Sequence, residues 1–300
     1  MKLNEVLEKC NMCPRNCNIN RLNGKVGVCK ATNDIKVSLV STHHFEEPCI
    51  SGEKGSGTIF FTGCNLKCVY CQNYEISSNM YGKVVSIDRL AEIMLEQQNR
   101  GVENINLVTP TMYALHIKEA IILARKKGLT LPIVYNSGGY ESVEVLKELE
   151  GYIDIYLPDF KYISNDYAKR YSNVDDYTEK AQQAILEMRR QVKDTFDKNG
   201  IMKSGLVIRH MILPNMVDNT KGVIDWIKEN LGENTVISIM AQYFPTHKAH
   251  EYEEINRKIS KEELEEVEDY LFEQNMVNGY IQELGEHEEE YVPNFNLDNV

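Results

Sequence analysis

The chain has 300 residues, 42% hydrophobic and 26% charged, a composition that suits a soluble globular protein with one large α/β domain and a small appendage. Its net charge of -12 gathers at one end, where residues 251–300 hold sixteen Asp/Glu against three Lys/Arg, and no basic stripe is left to meet a nucleic acid. No apolar run approaches the roughly 20 residues of a membrane helix, and the polar start Met1-Lys2-Leu3-Asn4-Glu5 does not read as a secretory leader, so the expected location is the cytoplasm, with no membrane partner.

Residues 1–55 are dense in Cys, Asn and Gly and read as a small cysteine-rich, metal-binding module, too short to fold on its own core. Eight cysteines in a reducing compartment argue for metal ligation before disulfides. Cys10, Cys13, Cys17 and Cys29 supply four soft ligands within twenty residues, and Gly24-Lys25-Val26-Gly27-Val28 supplies the turns that return the fourth. Four thiolates make a closed site, for zinc or for a second 4Fe–4S cluster, and the spacing does not choose between them. Cys49, alone in Glu46-Glu47-Pro48-Cys49-Ile50, reads as a spectator. His43-His44 and His247-x2-His250 look metal-like, but the second pair follows Pro245, lacks a third ligand and reads as solvated loop.

Residues 56–300 have a different texture. Thr58–Thr62 is a short run of β-branched and aromatic residues, the mark of a buried strand. Directly after it comes Gly63-Cys64-Asn65-Leu66-Lys67-Cys68-Val69-Tyr70-Cys71, with spacing C-x3-C-x2-C. Ser86 is a fitting N-cap for the helix that follows. Further strands are expected over Asn104–Thr109, Pro132–Asn136, Tyr152–Leu157, Leu206–Leu213 and Thr235–Ala241. Helices are expected over Tyr113–Lys127, Ser142–Glu150, a stretch reaching Asn199, and Thr220–Leu231. A last helix, Ser260–Asn275, opens with Ser260 and Glu263 at capping-box spacing and leads into an acidic tail. Six strands alternating with helices in about 185 residues predict a parallel sheet. A closed eight-unit barrel needs about 250 residues. The expected fold is therefore a partial (β/α)6 TIM-like barrel, with its chemistry at the C-terminal ends of the strands.

The three-cysteine run is the strongest chemical signal. Structural zinc wants four ligands, and this run offers three within eight residues. Three thiolates on a cubane cluster leave one iron open, which is a catalytic arrangement. With Tyr70 before the third cysteine and the run at a strand end, the chain resembles the radical S-adenosylmethionine (SAM) superfamily. Within it the chain is similar to the pyruvate formate-lyase activating enzyme-related, PflX-type proteins. The likeness spans nearly the whole chain and includes Cys13-Pro14-Arg15-Asn16-Cys17, Gly55-Ser56-Gly57-Thr58-Ile59-Phe60-Phe61, Cys71-Gln72-Asn73-Tyr74-Glu75-Ile76-Ser77, Tyr135-Asn136-Ser137-Gly138-Gly139-Tyr140 and Leu157-Pro158-Asp159-Phe160-Lys161-Tyr162.

The resemblance implies a 4Fe–4S cluster on Cys64, Cys68 and Cys71, and SAM as the ligand of the open iron. It implies reductive cleavage of SAM to a 5′-deoxyadenosyl radical, with a flavodoxin or ferredoxin as reductant. The radical would abstract hydrogen from a protein or peptide, or alternatively from a small metabolite or free amino acid. A typical member grips the SAM amino group with Gly-Gly-Glu after the second strand. Here that place reads Leu107-Val108-Thr109-Pro110-Thr111, so Thr109 and Thr111 are the candidate contacts, with Thr111 as an N-cap the alternative. Tyr70, Asn136, Ser137, Asp159 and Lys161 occupy the other expected cofactor positions. Of Arg209-His210 only one can face inward, since adjacent strand residues point to opposite sides, and His210 is the expected cofactor contact. Nothing in the sequence singles out a catalytic side chain beyond these.

Overall fold

The computed structural model describes residues 1–285 and 293–300. Its strands are β1 (Ile35–His43), β2 (Ser56–Phe61), β3 (Lys83–Val85), β4 (Ile105–Val108), β5 (Ile133–Ser137), β6 (Ile155–Pro158), β7 (Thr195–Phe196), β8 (Met202–Met211), β9 (Val236–Met240) and β10 (Gly279–Ile281). Its helices are α1 (Leu3–Glu8), α2 (Pro48–Ser51), α3 (Tyr74–Ser77), α4 (Ile87–Arg100), α5 (Ala114–Lys126), α6 (Val143–Glu148), α7 (Asn165–Ser172), α8 (Tyr177–Gln191), α9 (Val217–Leu231) and α10 (Lys261–Glu273).

β2, β4, β5, β6, β8 and β9 correspond to the six expected strands and are hydrogen bonded in that order, all parallel. β2, β4, β5 and β6 are buried along their whole lengths. A parallel strand covered on both faces needs no polar alternation, which is why these segments read as apolar runs. β10 adds a parallel strand beyond β9, while β1 runs antiparallel on the other side of β2, with β3 beyond it. The sheet stays open between β3 and β10, a partial barrel rather than a closed one. β1 falls within the first 55 residues, yet it registers along β2 from Val37 opposite Phe61 to His43 opposite Ser56.

Local signals set the ends of the elements. Ser86 Oγ accepts from Arg89 N (3.0 Å), and Gly101 closes α4 in the left-handed region. Ser260 and Glu263 form the expected reciprocal box at the start of α10. β6 begins only at Ile155, because Tyr152 N bonds back to Leu149 O (3.0 Å) in the turn through Gly151. The helical stretch expected to reach Asn199 ends at Gln191, and β7 then pairs antiparallel with the start of β8.

Two terminal segments pack on this frame. The buried Arg21 donates from NH1 to Met112 O (2.8 Å) and from Nε to Thr32 O (3.0 Å), tying the cysteine-rich segment to the turn after β4. At the other end Phe295 packs edge-on against Phe60 (5.5 Å), and Leu297 N donates to Ser38 O (3.1 Å). Residues 286–292 of the expected acidic tail lie outside the described residues. Among the described residues no helix is long and apolar enough to cross a membrane.

Candidate active site

The loop after β2 carries Cys64, Cys68 and Cys71 and is pinned from several sides. Lys67 N donates to Ser172 O (3.1 Å), Val69 N to Tyr171 O (2.8 Å), and Lys248 N to Val69 O (2.8 Å). Asn65 Nδ2 donates to Tyr140 O (2.6 Å), while Arg15 Nε donates to Asn65 O (2.9 Å). Gly63 makes the start of the loop possible: its φ is +84°, and a Cβ there would stand 2.7 Å from Cys29 O. The cysteine-rich segment is thus in direct contact with the cysteine loop.

The donor set fits a thiolate-bound cluster. Burial pushes the Cys64 thiol up to about 12, helped by Cys68 and Cys71, and burial with Cys68 raises Cys71 too. Thiols that oppose each other's ionisation call for a cationic centre between them. Lys67 Nζ is buried without a hydrogen-bond partner; burial lowers its pKa, while Cys64, Cys29 and Cys71 pull it back up. Among the described residues no three or more His, Cys, Asp or Glu side chains are packed as around a single ion. The thiolates of a cubane stand wider apart than those of a mononuclear site.

Cys68, Tyr70 and Cys71 open on a cavity of about 640 Å³ at the strand ends, inside the usual range for a small-molecule site. Its wall carries a charged network. Asp159 Oδ2 accepts from Lys161 Nζ (2.7 Å) and Asp159 Oδ1 from Arg209 Nε (2.9 Å). Arg209 NH1 reaches Glu46 Oε2 (3.0 Å) and NH2 reaches Asn136 Oδ1 (2.7 Å). Asn106 Nδ2 (3.1 Å) and Asn136 Nδ2 (3.4 Å) donate to Glu46 Oε1. Burial opposes ionisation of Asp159, but the Arg209 guanidinium and Lys161 ammonium outweigh it and hold the carboxyl below the usual range. Burial pushes Glu46 and Glu47 up, with Arg209 pulling both down. Glu47 Oε2 is buried and unpartnered. Asp159 is thus held as a carboxylate between two cations, while burial favours the neutral form of Glu46 and Glu47.

Of the expected cofactor contacts, Tyr70, Asn136, Asp159 and Lys161 share this wall with Cys68 and Cys71. His210 does not: its Nδ1 meets Phe160 O (2.6 Å) and its Nε2 meets Thr220 Oγ1 (3.0 Å), and burial lowers its pKa to about 4. The inward member of the pair is Arg209, because the strand alternation turns His210 toward α9. Thr111 and Ser137 also turn away from the cavity, and neither Thr111 nor an adjacent residue uses its side chain as a cap. Thr111 Oγ1 donates to Glu141 Oε1 (2.6 Å), Tyr135 OH to Glu141 Oε2 (3.1 Å), and Ser137 bonds the same carboxyl, which burial lifts to about 7. Thr109 stands between these sets with φ +57°, an uncommon conformation for a β-branched residue, and its N donates to Asn136 O (2.9 Å).

Glu46 and Glu47 are site residues that the sequence does not single out: a carboxylate is expected after the second barrel strand, whereas these arrive from the link between β1 and α2. The run Glu46-Glu47-Pro48 was the available signal. Cys49 is buried beside Tyr280 and away from either cysteine set, and His247 stacks on Tyr74 (4.9 Å).

Cys10, Cys13, Cys17 and Cys29 come together around one small pocket beneath the cysteine loop. Gly27 is required there, since a Cβ would lie 2.6 Å from Cys17 Sγ. Burial raises both Cys13 and Cys29.

Comparison with known proteins shows the family. The uncharacterised protein MJ0674 of Methanocaldococcus jannaschii is 34% identical over 275 residues, covering 87% of this chain and 74% of its own. MJ0808 of the same organism is 24% identical over 267 residues, covering 82% and 74%. Among solved structures, Streptococcus suis SuiB bound to precursor peptide SuiA superposes with TM-score 0.51 at 14% identity, over 75% of this chain and 47% of SuiB. The FeFe-hydrogenase maturase HydG from Carboxydothermus hydrogenoformans gives TM-score 0.51 at 13% identity, over 76% and 53%. The chain spans about half the length of these two structures, and the likeness to them is one of fold. The Radical SAM superfamily model matches residues 58–227, more than half of the chain, and this protein belongs to the radical SAM superfamily.

Proposed function

We propose that Cys64, Cys68 and Cys71 hold a 4Fe–4S cluster, and that SAM occupies the cavity they share with Asp159, Lys161, Asn136 and Arg209. The observation that carries this is the opening of Cys68, Tyr70 and Cys71 onto the same charged cavity as the strand-end pair Asp159–Lys161. A 4Fe–4S cluster held by these three cysteines would supply the electron for reductive cleavage of SAM, the chemistry that yields a 5′-deoxyadenosyl radical for hydrogen abstraction. Lys161 offers its ammonium to an anionic group of SAM. Arg209 holds Asp159 in place and keeps it ionised. Tyr70 lies against the cavity between two cluster ligands. Burial of the wall excludes water and strengthens each of these contacts.

The substrate in this reading is a protein or peptide residue inserted singly, since the space suits a small molecule or one residue and not a folded surface. A low-potential ferredoxin or flavodoxin supplies the electron. One observation favours the second reading, a small metabolite or free amino acid: Pro293 lines the cavity, and the segment after it is hydrogen bonded along β1. In the same proposal Cys10, Cys13, Cys17 and Cys29 hold a second metal, zinc or 4Fe–4S. It braces the cysteine loop through the contacts of Arg15 and Cys29.

The test is 5′-deoxyadenosine production by the anaerobically reconstituted enzyme with dithionite and SAM. Cell extract from the source, separated by ultrafiltration, is then added. Stimulation by the protein fraction supports the first reading, and stimulation confined to the small-molecule fraction selects the second. No SAM cleavage with a fully loaded cluster overturns both.

A further inference from the structure

We infer that a buried hydroxyl relay, Tyr70 to Tyr162 to Ser172 to Cys68, sets the reduction potential of the centre held by Cys64, Cys68 and Cys71. The inference rests on the cluster assignment proposed above and adds Ser172 and Tyr162 as positioning residues.

The relay is defined by three short contacts. Ser172 Oγ lies 2.9 Å from Cys68 Sγ, Tyr162 OH lies 2.8 Å from Ser172 Oγ, and Tyr70 OH lies 2.5 Å from Tyr162 OH. Ser172 is fully buried at the end of α7. Its carbonyl and that of Tyr171 accept from Lys67 N and Val69 N, the two residues flanking Cys68. Two backbone bonds thus clamp the helix end to the loop, and the Ser172 hydroxyl is aimed by the backbone as well as by its rotamer.

The direction of every proton follows. A thiolate accepts and cannot donate, so Ser172 donates to Cys68. The Ser172 oxygen then accepts from Tyr162, whose oxygen accepts from Tyr70. Both phenols are buried and each carries one O–H to donate. Hydrogen bonds aligned head to tail polarise one another, and a charged acceptor strengthens the last of them. Among the described residues the other two ligands lack such a chain: Cys71 Sγ is 3.3 Å from Ser77 Oγ and is also met by the Asn73 backbone, and Cys64 Sγ accepts from Leu66 N at 3.4 Å.

Reduction adds one electron, from dithionite or a low-potential one-electron donor, to a centre that is already anionic. Donors aimed at a ligand sulfur stabilise the more negative state and raise the potential. The relay begins on the cavity wall at Tyr70 and ends on a cluster ligand, and so makes an already difficult reduction easier.

An EPR-monitored redox titration of the reconstituted enzyme tests this, after iron and sulfide in each sample have been quantified. A wild-type protein that holds no cluster fails the assignment of the cysteines, and this shows before any titration. With the cluster loaded, Ser172→Ala should make the midpoint more negative, lowering the reduced-to-oxidised ratio at fixed potential by roughly tenfold, the size of one lost bond. Ser172→Thr keeps the hydroxyl and should stay near wild type. Tyr162→Phe should shift in the same direction by less. An unchanged or more positive midpoint in Ser172→Ala at equal iron content overturns the relay. So does loss of cluster in both Ser172 variants with no shift in Tyr162→Phe, since that pattern belongs to packing alone.

Discussion

Replacing Arg209 with Met removes the hub of the cavity network and keeps most of its volume. Arg209, Asp159 and Glu46 have side chains 15%, 16% and 9% exposed, so the guanidinium neutralises carboxylates largely shielded from water. Removing one partner of a buried pair costs about 3–5 kcal/mol. The lower end applies here, because Lys161 still holds Asp159 Oδ2, and Asn106 and Asn136 still donate to Glu46 Oε1. The expected loss is about 3 kcal/mol at pH 8. Its pH dependence has a definite sign. In the wild type Asp159 is held below its usual range, so its contribution is present at neutral pH and is lost only as pH falls through that lowered value. Burial already holds Glu46 and Glu47 above their usual values; without Arg209 they rise further and Asp159 rises with them, so protonation on folding relieves part of the cost at lower pH. Urea unfolding followed by circular dichroism at pH 8 and pH 5 measures both quantities. A variant within 1 kcal/mol of wild type at pH 8, or an equal deficit at both pH values, would refute the reasoning. Arg209→Lys keeps the charge, loses the fork and should fall between.

Other outcomes follow from the same geometry. Lys161→Ala should weaken SAM binding thirty- to a hundredfold, on the order of 2–3 kcal/mol, while Thr109→Val, off the cavity wall, should cost fivefold or less in equilibrium titration of the reconstituted protein. Thr111→Val deprives the buried Glu141 of a donor, so it should lower stability by about 1–3 kcal/mol and leave SAM affinity unchanged. The triple variant Cys64→Ala, Cys68→Ala, Cys71→Ala should still carry zinc or iron by elemental analysis, held by the four N-terminal cysteines, and background levels of both would remove that site.

The barrel was legible because its signals are local. Apolar runs such as Ile105–Val108 and Ile133–Ser137, separated by capped helices, fix a parallel sheet without reference to distant residues. The cysteine run was legible for the same reason, since its ligands are a few residues apart. What escaped depends on contacts far apart in sequence. β1 alternates poorly and becomes a strand by pairing with β2, and β10 is three residues added to β9. Glu46 enters the site through Arg209, 163 positions away. The Arg209–His210 choice turned on strand phase, which a one-residue shift inverts. Thr111 and Ser137 follow the second and third barrel strands, where the resemblance expects contacts to the SAM amino group and to SAM, but both hydroxyls are taken up by the protein's own Glu141, a partner that only the folded chain brings within reach.

The most direct test of the central claim is the yield of 5′-deoxyadenosine when the anaerobically reconstituted protein meets SAM and dithionite. The account predicts its formation together with methionine, and its abolition, along with the cluster absorbance of this site, on changing any one of Cys64, Cys68 and Cys71 to Ala. Unchanged nucleoside production in the triple variant would contradict it.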